Sequence, residues 1–178
     1  MKHARHGFTL LELMVTLAII AVLLAWGVPA LRNYLLDLRL RASVTALHAD
    51  LRYARAQAVF EGVHVIACPR SAPNQATCAS NGDWHRGWLV FHDSNGDRTR
   101  QPSEPLVRIT QPLDSVQARS STARRRLRFL PTGTAPGSNT TIRFCDARGN
   151  AAIRGLALSN TGRLRRLSTD ETPSPNCT

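Results

Sequence analysis

Residues 8–30 form one apolar run, interrupted only by Thr9, Glu12 and Thr16. Its length matches the roughly 20 residues that a helix needs to cross a bilayer. After Arg32-Asn33-Tyr34 the period changes: Leu40, Val44, Leu47, Leu51, Ala54 and Ala58 recur at steps of three and four, which predicts an amphipathic helix. Arg52, Arg55 and Gln57 point away from that stripe. The helix pair Arg52 and Arg55 is therefore a charge-matched control for any basic site elsewhere. Both patterns join into one helix from near Phe8 to near Phe60, bent at Pro29, where a backbone donor is missing, and stopped at Gly62. Beyond it, short strands are expected at 63–68, 87–92, 106–110, 126–130, 141–145, 153–159 and 163–167. Turn-rich segments such as 71–83 and 94–105 separate them. The pattern predicts an α+β fold: a membrane-spanning first half of the helix (8–30), an amphipathic continuation (31–61) packed on an antiparallel sheet, and a β-rich domain (62–178). The tail from Ser168 looks loose unless Cys177 pins it.

Charge sets the orientation. Residues 1–7 are short and basic through Lys2 and Arg5, so the positive-inside tendency keeps them cytoplasmic and sends the C-terminal mass across the membrane. A cleaved secretory signal ending at Val28-Pro29-Ala30 is the competing reading. Glu12 argues against it, because a carboxylate at bilayer depth costs about 3 kcal/mol and is tolerated mainly where function needs it. Cys68, Cys78, Cys145 and Cys177 all follow the apolar run, and an even number on the exported side points to disulfides. Among the three connectivities the sequential one is expected: Cys68–Cys78 closes a short Pro/Asn-rich loop and Cys145–Cys177 ties down the tail. No Cys-x-x-Cys occurs, which speaks against zinc. The net charge is +11, and its excess lies late in the chain. From Ala118 onward eleven arginines face only Asp146, Asp170 and Glu171, a net of +8.

Gly7-Phe8-Thr9-Leu10-Leu11-Glu12-Leu13 resembles the type IV pilin signature. That resemblance implies cleavage between Gly7 and Phe8 by prepilin peptidase, N-methylation of Phe8, and Glu12 as the fifth residue of the mature chain. Glu12 then pairs with the terminal amine of a neighbouring subunit in the filament core, where two buried charges offset each other only in register. Further on, Cys68-Pro69, Cys78, Trp84, Gly87-Trp88-Leu89-Val90-Phe91-x-Asp93, Arg128-Phe129-x-Pro131-x-Gly133 and Gly162-Arg163-Leu164-Arg165 together resemble the GspH/FimT family of minor pilins and pseudopilins. The implied fold is pilin-like. The implied setting is the bacterial inner membrane, crossed once, with the β-rich domain in the periplasm and other pilins or pseudopilins as partners.

Gly162-Arg163-Leu164-Arg165-Arg166 is the candidate binding motif. In a hairpin with Asn160-Thr161-Gly162 as its turn, alternation puts Arg163 and Arg165 on one face and Leu164 on the other. Paired guanidiniums match phosphate oxygens, and DNA-uptake members of the family resemble this Gly-Arg-x-Arg arrangement. Arg124-Arg125-Arg126-Leu127-Arg128 is a second basic run that could widen the patch. No aromatic residue interleaves with either run, so base stacking is not indicated. Asp93-Ser94-Asn95-Gly96-Asp97 with Glu104 mimics a calcium loop, yet Arg98 stands where the loop needs glycine. The histidines at 48, 64, 85 and 92 have no nucleophile partner in a recognisable motif, so neither an enzyme nor a metal or cofactor is expected. Two functions remain: a type IV pilus subunit that binds DNA for natural transformation, favoured by the basic hairpin, and an H-type pseudopilin of a type II secretion system.

Overall fold

The computed structural model describes residues 9–172. Gly7, Phe8 and Cys177 lie outside them. Helix α1 spans Leu10–Glu61 without interruption, Pro29 included. Thr9 caps it: the backbone N–H of Glu12 donates to Thr9 Oγ1 at 3.2 Å, the Thr-x-x-Glu spacing of a capping box. Gly62, at φ +69°, ends it in the left-handed conformation that glycine adopts without cost.

What the helix buries changes along its length. Among the described residues no side chain before Leu40 is buried, and large apolar groups such as Leu23 and Trp26 stand exposed. From Leu40 on, a stripe of Leu40, Ser43, Val44, Leu47, Leu51, Ala54 and Ala58 is buried. The chain accordingly divides into two compact units between Asp37 and Leu38.

Among the described residues the second unit holds eight strands: β1 (Val65–Pro69), β2 (Trp88–His92), β3 (Leu106–Ile109), β4 (Gln117–Arg119), β5 (Leu127–Phe129), β6 (Thr140–Cys145), β7 (Arg154–Leu158) and β8 (Leu164–Leu167). They form two four-stranded sheets, ordered β3-β2-β1-β5 and β4-β6-β7-β8, where the sequence pattern led us to expect one. All pairings are antiparallel. Strand β4 was not expected, since three residues with a single apolar side chain carry almost no strand signal. It forms because the edge of β6 supplies partners, Gln117 opposite Cys145 and Arg119 opposite Arg143, while Ala118 turns into the core.

The helix stripe packs with inward residues of both sheets, Val65, Ala67, Trp88, Val90, Leu127 and Phe129 from the first and Ala118, Ile142, Phe144, Leu156 and Leu158 from the second. Asp50 adds a polar tie: its carboxylate accepts hydrogen bonds from Trp88 Nε1 at 2.9 Å and Thr110 Oγ1 at 3.0 Å, linking the helix to the first sheet. The outer face of that sheet is also covered. Ile66, Cys68, Leu89 and Phe91 form a second cluster with Cys78, which the Cys68–Cys78 disulfide draws onto it. Arg70 holds the same loop in place. Only 2% exposed, it donates to the carbonyl oxygens of Pro73, Gln75 and Thr110, so a buried cation is satisfied by backbone rather than by a carboxylate. Cys145 is disulfide-bonded as well.

The loop after β2 uses its own carboxylates. Glu104 accepts from the backbone N–H groups of Ser94 and Gln101, Asp93 from that of Arg98, and Asp97 from that of Thr99. The start of the tail is held by hydrogen bonds of its own, beyond the disulfide expected to tie it down. Thr169 Oγ1 donates to the Ile153 carbonyl at 2.9 Å, and Glu171 accepts from the Ser168 N–H at 3.2 Å.

Candidate nucleic-acid interface

Strands β7 and β8 form the expected hairpin, with Ala157 opposite Arg165 and Leu158 opposite Leu164. Its turn closes through Gly162 N–H to the Ser159 carbonyl at 2.9 Å. The tip is anchored to the loop after β5: Ala135 N–H donates to the Asn160 carbonyl, and Gly137 N–H to Asn160 Oδ1. Gly162 sits at φ +77°, and a Cβ there would lie 2.1 Å from the Gly133 carbonyl oxygen. Arg55 Nε donates to the same carbonyl oxygen at 2.7 Å and would lie 3.0 Å from that Cβ. Helix, loop and hairpin are thereby locked together.

Between them runs an open groove of about 850 Å³. His48, Arg52, Arg55, Ala56, Val59 and Phe60 line it from the helix, Thr132 and Gly133 from the loop, and Gly162, Arg163 and Leu164 from the hairpin. Positions 48, 52, 55 and 59 recur at steps of three and four, which puts them on one helix face. The helix arginines are therefore part of this site and cannot serve as an independent control for it. Proximity over more than a hundred residues of chain is not encoded in the helix pattern.

The three arginines of the motif part company. Arg163 and Arg165 both border a smaller hollow with Ala157, Leu158 and Ser159, and Leu164 packs against the core. Arg165 is engaged there by Glu171, Nη1 to Oε1 at 2.6 Å. Arg166 turns the other way, to His48 Nδ1 at 3.3 Å. Of the second basic run, Arg124 donates to the Gly137 carbonyl and Arg125 to that of Thr122, while Arg126 acts on Asp97. That run does not extend the groove.

Electrostatics at the groove follow from this crowding. Partial burial holds the His48 pKa below the usual histidine value, and the positive charges of Arg166 and Arg52 lower it further. The folded chain thus binds fewer protons at this site than the unfolded one. Its contribution to stability is present above the usual histidine pKa and is lost as pH falls through that range. In Arg166→Gln, NMR titration of His48 should show a higher pKa than in the wild type, because a cationic neighbour is gone. An unchanged or lower value would mean that the Arg166 charge does not reach the ring.

A long helix, apolar in its first half and amphipathic in its second, carrying two antiparallel sheets, is the architecture of a pilin-like filament subunit. The chain belongs to the family described as Type II transport protein GspH, whose model matches residues 43–162. The prokaryotic N-terminal methylation motif matches residues 2–28, which implies processing by prepilin peptidase. Among solved structures, the type IV minor pilin FimU of Pseudomonas aeruginosa is similar at 21% identity, covering 76% of this chain and 93% of that one with a TM-score of 0.58. The minor pseudopilin EpsH from the type 2 secretion system of Vibrio cholerae is similar at 11% identity, covering 73% and 97% with a TM-score of 0.53. No protein of curated function matches the chain. It is a minor pilin or pseudopilin, a subunit of a type IV filament or of the related secretion apparatus.

Proposed function

We propose that this chain is a minor pilin of a type IV pilus that binds DNA for natural transformation. In this reading prepilin peptidase cuts after Gly7, Phe8 is methylated, and α1 anchors the chain in the inner membrane with the β-rich domain in the periplasm until Glu12 docks it into a filament. One observation supports DNA as the ligand above the rest. Arg52, Arg55 and Arg163 converge on a groove with Arg166 at its rim, and among the described residues no carboxylate lines it. Such a surface attracts a polyanion without reading its sequence.

The chemistry assigns unequal roles. Arg52 and Arg163 line the groove, and Arg166 reaches His48 in its wall. Arg55 has its Nε committed to the Gly133 carbonyl and positions the wall. Arg165 must leave Glu171 before it can meet a phosphate. Membership of the GspH family favours a second reading, an H-type pseudopilin with a structural role in protein secretion. The two part in a binding experiment on the full chain in detergent: the first predicts that Arg52→Gln with Arg163→Gln weakens DNA binding about tenfold or more, and the second that the replacement changes nothing specific.

A further inference from the structure

No aromatic residue lies within either basic run, and Phe129, which follows Arg128, is buried, but the fold brings another aromatic side chain to the groove. Phe60 is the penultimate residue of α1, it is 88% exposed, and it borders the groove together with Val59 and Ala56. A solitary exposed apolar side chain is ordinary on a protein surface. This one stands among Arg52, Arg55 and Arg163, in a groove that no carboxylate of the described residues lines, so its environment matches a ligand that is both anionic and aromatic. The backbone that carries it is anchored. Gly62 terminates the helix two residues later, and Val59, its neighbour, packs beside the Gly133 backbone that Arg55 and Gly162 lock in place.

We propose that the groove takes single-stranded nucleic acid, with Phe60 as a stacking platform for an unpaired base and Arg52 and Arg163 on the flanking phosphates. A duplex hides its base faces in its own stack and offers the groove only phosphates. A single strand offers both, and stacking on an aromatic side chain tolerates every base because each has a π-face. The expected preference is therefore for strand state and not for sequence. This inference rests on the DNA-binding reading above and adds the class of DNA.

The test measures fluorescence anisotropy of labelled oligo-dT, and of a duplex of equal length, titrated with the full chain in detergent. Wild type, Phe60→Ala and Phe60→Trp are compared at one salt concentration. The single strand should bind about tenfold tighter than the duplex. Phe60→Ala should lose roughly tenfold on the single strand and little on the duplex, and Phe60→Trp should restore the difference. Equal binding of both forms, or equal loss on both in Phe60→Ala, would overturn the stacking role while leaving the DNA reading intact. Binding to neither would overturn both. If Phe60→Ala left single-strand affinity unchanged and lowered incorporation into filaments, Phe60 would be a contact to a neighbouring subunit, and the proposal would fall.

Discussion

Glu12→Ala should enter the membrane at least as well as the wild type and be almost lost from filaments. Removing a carboxylate from an apolar span relieves about 3 kcal/mol of insertion cost, so no defect is expected before assembly. In the assembly proposed above, the same carboxylate pairs with the amine at Phe8 of a neighbour. Deleting one partner of a buried pair leaves the other uncompensated, at roughly 3–5 kcal/mol per contact, more than a hundredfold in occupancy. The helix itself survives, because the hydrogen bond to Thr9 Oγ1 comes from the Glu12 backbone and not its side chain. Thr9→Ala is the complementary control: it removes the cap and keeps the charge, and should assemble. Immunoblots of membrane and sheared-filament fractions separate the cases, and equal incorporation of Glu12→Ala and wild type would refute the pairing.

Gly162→Val should open the groove at its base. Its φ of +77° is costly for any residue with a Cβ and most for a branched one, and the added atom would meet the Gly133 carbonyl oxygen at 2.1 Å, a contact that backbone must move to relieve. Strain and displacement together are expected to cost roughly 2–4 kcal/mol in denaturant unfolding. They should also dislodge Arg55 from that carbonyl and spread Arg52 from Arg163, weakening DNA binding beyond the stability loss. Gly137→Ala supplies the comparison, since Gly137 has a φ of +69° with nothing within 4 Å of its would-be Cβ. It should cost only about 1 kcal/mol. Similar losses at both glycines would show that backbone strain alone, and not the close approach, decides the effect.

Much of the architecture is legible in the residue pattern. The apolar run and the stripe from Leu40 to Ala58 follow from a 3.6-residue period. Gly62 follows from turn chemistry, and most strands from short alternating runs. The division into two sheets was not legible, because β1 pairs with both β2 and β5, and which edges meet depends on how the chain folds back on the helix. Strand β4 carries its pairing on backbone groups that any sequence has. Arg70 reads as one more arginine after Cys68-Pro69, and only three facing carbonyls make it an interior residue. The site was half legible: Gly162 and Arg163 stand in a recognisable motif, but nothing local announces that Arg52, Arg55 and Phe60 lie across from them or that Glu171 holds Arg165. The acidic residue signals a partner only through its place on the tail beside β8.

DNA affinity as a function of salt tests the central claim most directly, since counterion release counts phosphate contacts. With Arg52, Arg163 and Arg166 on a duplex, the logarithm of the binding constant should fall against log salt with a slope near −3, about −0.9 for each phosphate. Arg52→Gln with Arg163→Gln should flatten that slope to near −1. Arg39→Gln with Arg86→Gln removes the same charge from residues that do not line the groove and pair with Asp114 and Asp83, and should leave the slope near −3. Equal flattening by both pairs, or none by the groove pair, would contradict the account and leave a basic filament subunit without a DNA site.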